Sequence, residues 1–147
     1  MYVLNMATFS ERLSDLMLEK EIKSHELAAV IGVSTNTVND WRRGRFQVFL
    51  SNALKLADFF GCSLDYLMGR TLSDTDSIPQ PCPSFYPHFL TVLEKCGITA
   101  YRMREESRIK GAYFNNWKKG SDPLMPTLII AAEYLDVTLD YLVGRDR

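Results

Sequence analysis

Two short segments of the chain bring together the side chains best suited to chemistry. The first carries Thr35, Asn36, Thr37, Asn39 and Asp40, followed by Arg42, Arg43 and Arg45; the second carries Lys110, Gly111, Ala112, Tyr113, Asn115 and Asn116, followed by Lys118 and Lys119. Amides and hydroxyls offer hydrogen-bond donors and acceptors, and the trailing cations attract anions. That is the chemistry of recognition. Arrangements for bond making are missing from the sequence: it has no Ser/His/Asp elbow, no phosphate-cradling glycine loop, no histidines at metal spacing and no CxxC. Two histidines, His25 and His88, are few for acid–base work. The expectation is a binding protein and not an enzyme, with no cofactor, metal or small-molecule ligand.

Whole-chain charge says nothing in favour of an anionic partner, since 17 Lys plus Arg face 18 Asp plus Glu for a net charge of -1. The signal is local. Residues 34–45 hold three arginines against Asp40, for +2. Residues 98–120 hold Arg102, Arg104, Arg108, Lys110, Lys118 and Lys119 against Glu105 and Glu106, for +4. Acids collect elsewhere, at Glu11, Asp15, Glu19 and Glu21 among other positions. No apolar run approaches the ~20 residues of a membrane span, and the start MYVLNMATF lacks the features of a signal peptide, so a cytoplasmic protein is expected. Cys62, Cys82 and Cys96 fit neither a disulfide framework nor a zinc site by number or spacing. Cys96 lies on an apolar stripe and is expected in a core, whereas Cys82 is the thiol open enough for redox chemistry.

The two segments belong to a repeat. SLDYLMGR at 63–70 returns as TLDYLVGR at 138–145, an offset of 75, and Phe9, Ile22, Asn39, Trp41 and Gly44 return at an offset of 76 as Phe85, Ile98, Asn115, Trp117 and Gly120. One deletion between the loops 45–50 and 121–125 accounts for the change. The pattern is that of a tandem duplication. Residues 71–84 between the copies contain three prolines and no aromatic residue, a linker composition.

Apolar spacing within each copy is helical. Phe9, Leu13, Leu16 and Met17 form one stripe, and Phe85, Phe89, Val92, Leu93 and Cys96 form the matching one. Thr8 and Glu11 spell a capping box; Ser24, Ser34, Ser51 and Ser63 stand as caps before further short helices, and Gly32, Gly44, Gly61 and Gly69 at helix ends. The expected fold is all-α, with two tandem five-helix domains at 6–70 and 85–147 and the linker at 71–84.

Residues 24–44 resemble the helix-turn-helix of the lambda-repressor-like family, also called the Cro/CI or XRE family, and residues 99–120 resemble it again. Ala28 provides the small residue where the helices cross, and Gly32 the positive-φ turn. Val33, Val38 and Trp41 face inward, as do Ile109, Phe114 and Trp117. The W-(R/K)-(R/K)-G and LDYL-x-GR blocks make the likeness specific. Two departures mark the second copy: Arg104 takes the place of the small residue, and Arg108 that of the glycine, where positive φ would cost an arginine about 1 kcal/mol.

The resemblance implies a sequence-specific regulator of transcription, expected to be a repressor, that reads the major groove of double-stranded DNA with the third helix of each domain. Ser24, His25, Thr35, Asn36, Thr37, Asn39, Asp40, Arg42, Arg43 and Arg45 would form one DNA-binding set. Thr99, Arg102, Lys110, Gly111, Ala112, Tyr113, Asn115, Asn116, Lys118 and Lys119 would form the other. Phe49 and Leu50 are expected to plug the core, with Phe46 and Val48 as a dimer or partner contact. Tyr66 and Tyr141 read as structural, Asp65 and Asp140 as partners of a helix dipole, and His88 as a surface residue. A homodimer is among the partners implied. The alternative is a protein-interaction module, antitoxin-like or anti-repressor, in which one or both motifs dock a protein.

Overall fold

The computed structural model describes residues 8–72 and 81–145. Its regular structure there is helical: α1 (Phe9–Glu19), α2 (Ser24–Ile31), α3 (Thr35–Arg42), α4 (Leu50–Phe60), α5 (Leu64–Leu67), α6 (Phe85–Cys96), α7 (Ala100–Glu106), α8 (Gly111–Lys118), α9 (Met125–Leu135) and α10 (Leu139–Val143). The chain divides into two compact units, Met1–Pro79 and Gln80–Arg147. Most of the expected linker, residues 73–80, lies outside the described residues, as do the first residues of the expected first domain.

In the first unit, α1 begins at the capping box: Glu11 N–H donates to Thr8 Oγ1 at 3.3 Å, and Thr8 N–H donates to Glu11 Oε1 at 2.9 Å. Its buried stripe of Phe9, Leu13, Leu16 and Met17 packs on α3, where Val38 and Trp41 are buried, and α3 packs in turn on α2, where Leu27, Ala28 and Ile31 are buried. Phe9 and Trp41 rings meet edge to face at 6.3 Å, so the tryptophan serves the core. Ser34 and Ser63 cap α3 and α5, accepting from Thr37 N–H and Tyr66 N–H at 3.1 and 3.0 Å. Ser24 and Ser51 are not caps. Each lies inside its helix, behind Lys23 and Phe49, and Lys23 N–H is satisfied by Glu26 Oε1 at 2.9 Å. Gly32 ends α2 at φ +89, as the turn requires.

The loop before α4 inverts the expected roles. Val48 is fully buried while Phe49 is 47% exposed, because Phe49 sits at the N-cap and only Leu50 begins the inward stripe Leu50, Ala53, Leu56, Ala57. Val48 is therefore withdrawn as a partner contact. Phe46, at 61% exposure, stays on the surface.

In the second unit, Phe85, Phe89, Phe114 and Trp117 build an aromatic cluster, with Trp117 between 5.3 and 5.4 Å from the other three rings. Ile109 and Met103 complete that side of the core, and Cys96 at its edge is only half-buried. The turn between α7 and α8 departs from expectation. Instead of a left-handed residue at Arg108, the chain leaves α7 one residue early, Ser107 is extended (φ -86, ψ 170), and Ser107 Oγ accepts from Ile109 N–H at 3.2 Å. Four residues, 107–110, thus replace the three of the α2–α3 turn, and the strain expected at Arg108 does not arise. Asp136 takes positive φ at the end of α9 instead, in the place held by Gly61 in the first unit.

The LDYL-x-GR blocks hold their ends by ion pairs and not by the helix dipole alone. Arg70 pairs with Asp65, and Arg145 Nη1 donates to Asp140 Oδ1 at 2.9 Å with Arg145 2% exposed. One further contact recurs: buried Arg12 donates to Tyr66 O with its guanidinium 3.7 Å over the Tyr66 ring, and His88, offset by 76, sits 3.0 Å through Nε2 from Tyr141 O. His88 is thereby half-buried and not a plain surface group. A Cβ on Gly144 would fall 2.7 Å from the Pro83 ring, so only glycine fits between that proline and α10.

Candidate nucleic-acid interface

In the first unit α2 and α3 pack together and turn one polar face outward. Thr35 and Asn36 are exposed on the first turn of α3, and Asn39 and Asp40 are half-buried on the next. Thr37 does not project as expected: its hydroxyl lies 2.9 Å from Ser34 Oγ and belongs to the cap. Ser24 and Arg42, eighteen residues apart, are brought together, with Arg42 Nη1 donating to Ser24 Oγ at 2.9 Å. This bond joins the first residue of α2 to the last of α3 and fixes the guanidinium at the junction of the two helices. His25 is exposed beside it. Asp40 faces Arg45 at 3.9 Å, so the one acid of α3 is set against a cation of the same chain. Arg43 is exposed and makes no ion pair among the described residues.

In the second unit Lys110, Gly111, Ala112, Tyr113, Asn115, Asn116, Lys118 and Lys119 are all exposed along α8 and its ends. Thr99 caps α7, accepting from Arg102 N–H at 3.1 Å. Arg102 donates through Nε to Glu106 at 2.9 Å, and Glu106 accepts from Tyr134 Oη at 2.6 Å. The Tyr134 hydroxyl first, and Arg102 second, hold the Glu106 carboxyl below its usual range. Bonding to Glu106 raises both the Tyr134 phenol and Arg102 above theirs. Arg102 is thus committed to a carboxylate, while Arg104 and Arg108, outside the expected set, are exposed without an ion pair among the described residues. Their charge was visible in the sequence count, and the pairing that commits Arg102 is a local one between residues four apart on α7. The Arg104 side chain runs beside Gly111, its Cδ 3.8 Å from where a Cβ would stand.

Among the described residues no group of three or more His, Cys, Asp or Glu could hold a metal ion, and no helix is long and apolar enough to cross a membrane. The chain matches none of the curated proteins. Among solved structures it is similar to the DNA-binding domain of the P22 C2 repressor, at 29% identity over 50% of this chain and 96% of that one, with a TM-score of 0.44. It is also similar to the SOS-response transcriptional repressor LexA from Eubacterium rectale, at 30% identity over 49% of this chain and 77% of that one, with a TM-score of 0.42. Residues 12–71 match the family model of the Cro/C1-type HTH DNA-binding domain, the segment running from the buried arginine of α1 through the motif to the end of the first LDYL-x-GR block. That segment is a Cro/C1-type helix-turn-helix DNA-binding domain.

Proposed function

We propose that the protein is a sequence-specific regulator of transcription, acting as a repressor, that binds double-stranded DNA through α3 and, from a tandem copy of the same domain, through α8. The observation that carries the reading is the outward face of α3: Thr35 and Asn36 open at its N-terminal end, Arg42 held by Ser24 and Arg43 open at the other. Short polar side chains at the start of such a helix reach base edges, and cations at its end meet phosphates. The recurrent Asp–Arg pairs and the matching Arg12 and His88 contacts support the tandem reading for residues 85–147. Half-sites about 34 Å apart are within reach of the 14 residues at 71–84, which extend to ~45 Å. Two linked sites would then bind with the avidity of effective concentration.

A protein-docking role is the second reading, and the exposed rings of Phe46 and Phe49 are what favour it. Selection from random double-stranded DNA with the full chain, at two salt concentrations, separates the two. Recovery of two unlike half-sites about one helical turn apart (~34 Å) supports sequence reading by both copies, and a single half-site supports sequence reading through α3 alone. A palindrome supports a homodimer reading through one copy. Weak, sequence-independent retention overturns specific DNA reading in favour of the protein partner.

A further inference from the structure

Sequence discrimination requires side chains that carry paired donors and acceptors and that are held in place before contact, because a bidentate amide–adenine or guanidinium–guanine pair tolerates little displacement. Backbone attraction requires neither. A lysine neutralises a phosphate as a mobile point charge, with no demand on geometry.

In the first unit the first turn of α3 carries Thr35 and Asn36, and the helix is tied at both ends, by Ser34 to Thr37 and by Ser24 to Arg42. The corresponding first turn of α8 begins Gly111, Ala112, neither of which has a donor or acceptor in its side chain. Its N-cap, Lys110, makes no side-chain bond to the helix. Ala100 stands at the position of Ser24 and Lys118 at that of Arg42, so the bond that fixes Arg42 has no counterpart. The turn leading into α8 is also a residue longer and extended. Charge divides the same way. Asp40 offsets Arg45 on the first motif, whereas α8 carries no acid, and Arg104, Arg108, Lys110, Lys118 and Lys119 make no ion pair among the described residues.

We propose that the first unit supplies the sequence specificity of the protein and the second a sequence-independent grip on the phosphate backbone. This rests on the reading that both units bind DNA. The second unit then acts as a clamp that raises residence on any DNA and leaves site choice to Thr35 and Asn36. Tyr113, exposed on the first turn of α8, and Asn115 and Asn116, the amides exposed on the second, are the groups that could contradict it.

The test compares full-length variants by fluorescence anisotropy on the selected site and on random-sequence duplex across a salt series. All the substituted side chains are exposed, and circular dichroism verifies that each variant folds. Thr35→Ala with Asn36→Ala is expected to cut the ratio of specific to random-sequence affinity by about tenfold or more. Asn115→Ala with Asn116→Ala, and separately Tyr113→Ala, lowers affinity for both duplexes alike, leaving that ratio within about twofold. Lys118→Ala with Lys119→Ala weakens binding to both duplexes alike and flattens the salt slope by about 2, close to 0.9 per phosphate lost. A tenfold fall in the ratio for the Asn115, Asn116 variant or the Tyr113 variant, or unchanged affinity and slope for the lysine variant, overturns the division. Wild-type protein that binds no duplex at all refutes the DNA reading itself, a separate outcome.

Discussion

At the scale of single residues, buried charge and exposed charge carry different consequences. Arg145 is almost wholly buried against Asp140, so Asp140→Ala leaves a guanidinium without its carboxylate in the interior and is expected to cost about 3 kcal/mol in a denaturant titration. The Asp65–Arg70 pair is less enclosed, and Asp65→Ala is expected to cost less. On the surface the relevant readout is binding. Arg42→Ala with Arg43→Ala is expected to lower affinity for all DNA sequences and to make the salt slope shallower by up to about 2, with a lower melting temperature from loss of the Arg42–Ser24 bond. Both tryptophans are core residues, as their helical phase requires; the role of Arg12 under Tyr66 was not legible, because an arginine on an apolar stripe reveals its partners only when a carbonyl from the far end of the unit arrives beside it.

At the scale of elements, caps and turns decide where helices stop. Glu21 stands at φ +54 after α1, where the second unit has Gly97 at φ +70. A left-handed backbone disfavours a residue with a Cβ by about 1 kcal/mol, so Glu21→Gly should raise the unfolding free energy by up to about that much, read as a higher denaturant midpoint with the slope unchanged. The chain Arg102–Glu106–Tyr134 ties α7 to α9 on the surface. Because the folded carboxyl of Glu106 titrates below its unfolded value, its stabilising contribution is complete above the ordinary glutamate range and is lost as pH falls through the lowered one. Thermal melts of Glu106→Gln between about pH 6 and pH 3 should show a flatter acid limb than wild type. The turn at 107–110 is not legible in the sequence for a definite reason: an offset of 76 places Arg108 on Gly32, but a helix can end one residue sooner, and Ser107 offers a side-chain oxygen to close the longer turn.

At the scale of the whole molecule, surface composition governs association. The Phe46 ring is exposed, and it lies just beyond the basic end of α3. If that patch joins two copies of the chain, Phe46→Ser should shift the monomer–dimer equilibrium toward monomer in sedimentation equilibrium; an unchanged association constant removes Phe46 from the interface. Val48, at the same loop, cannot take part, since it is enclosed.

Helical class, most of each core stripe and most of the outward-facing residues on α3 and α8 were determined by sequence alone, because a 3.6-residue period sorts side chains to faces before any tertiary contact exists; Thr37, drawn into the cap, and Cys96, half-buried at the edge of its stripe, are the exceptions. The capping box at Thr8 and the caps at Ser34 and Ser63 were equally local, each joining residues three apart. Ser24 with Arg42, His88 with Tyr141 and the burial of Val48 depended on segments distant in sequence meeting in space. Such contacts are decided by packing, which no local pattern encodes. For the same reason the local pattern assigned Ser24 to a cap, when tertiary structure gave its hydroxyl to an arginine on the next helix.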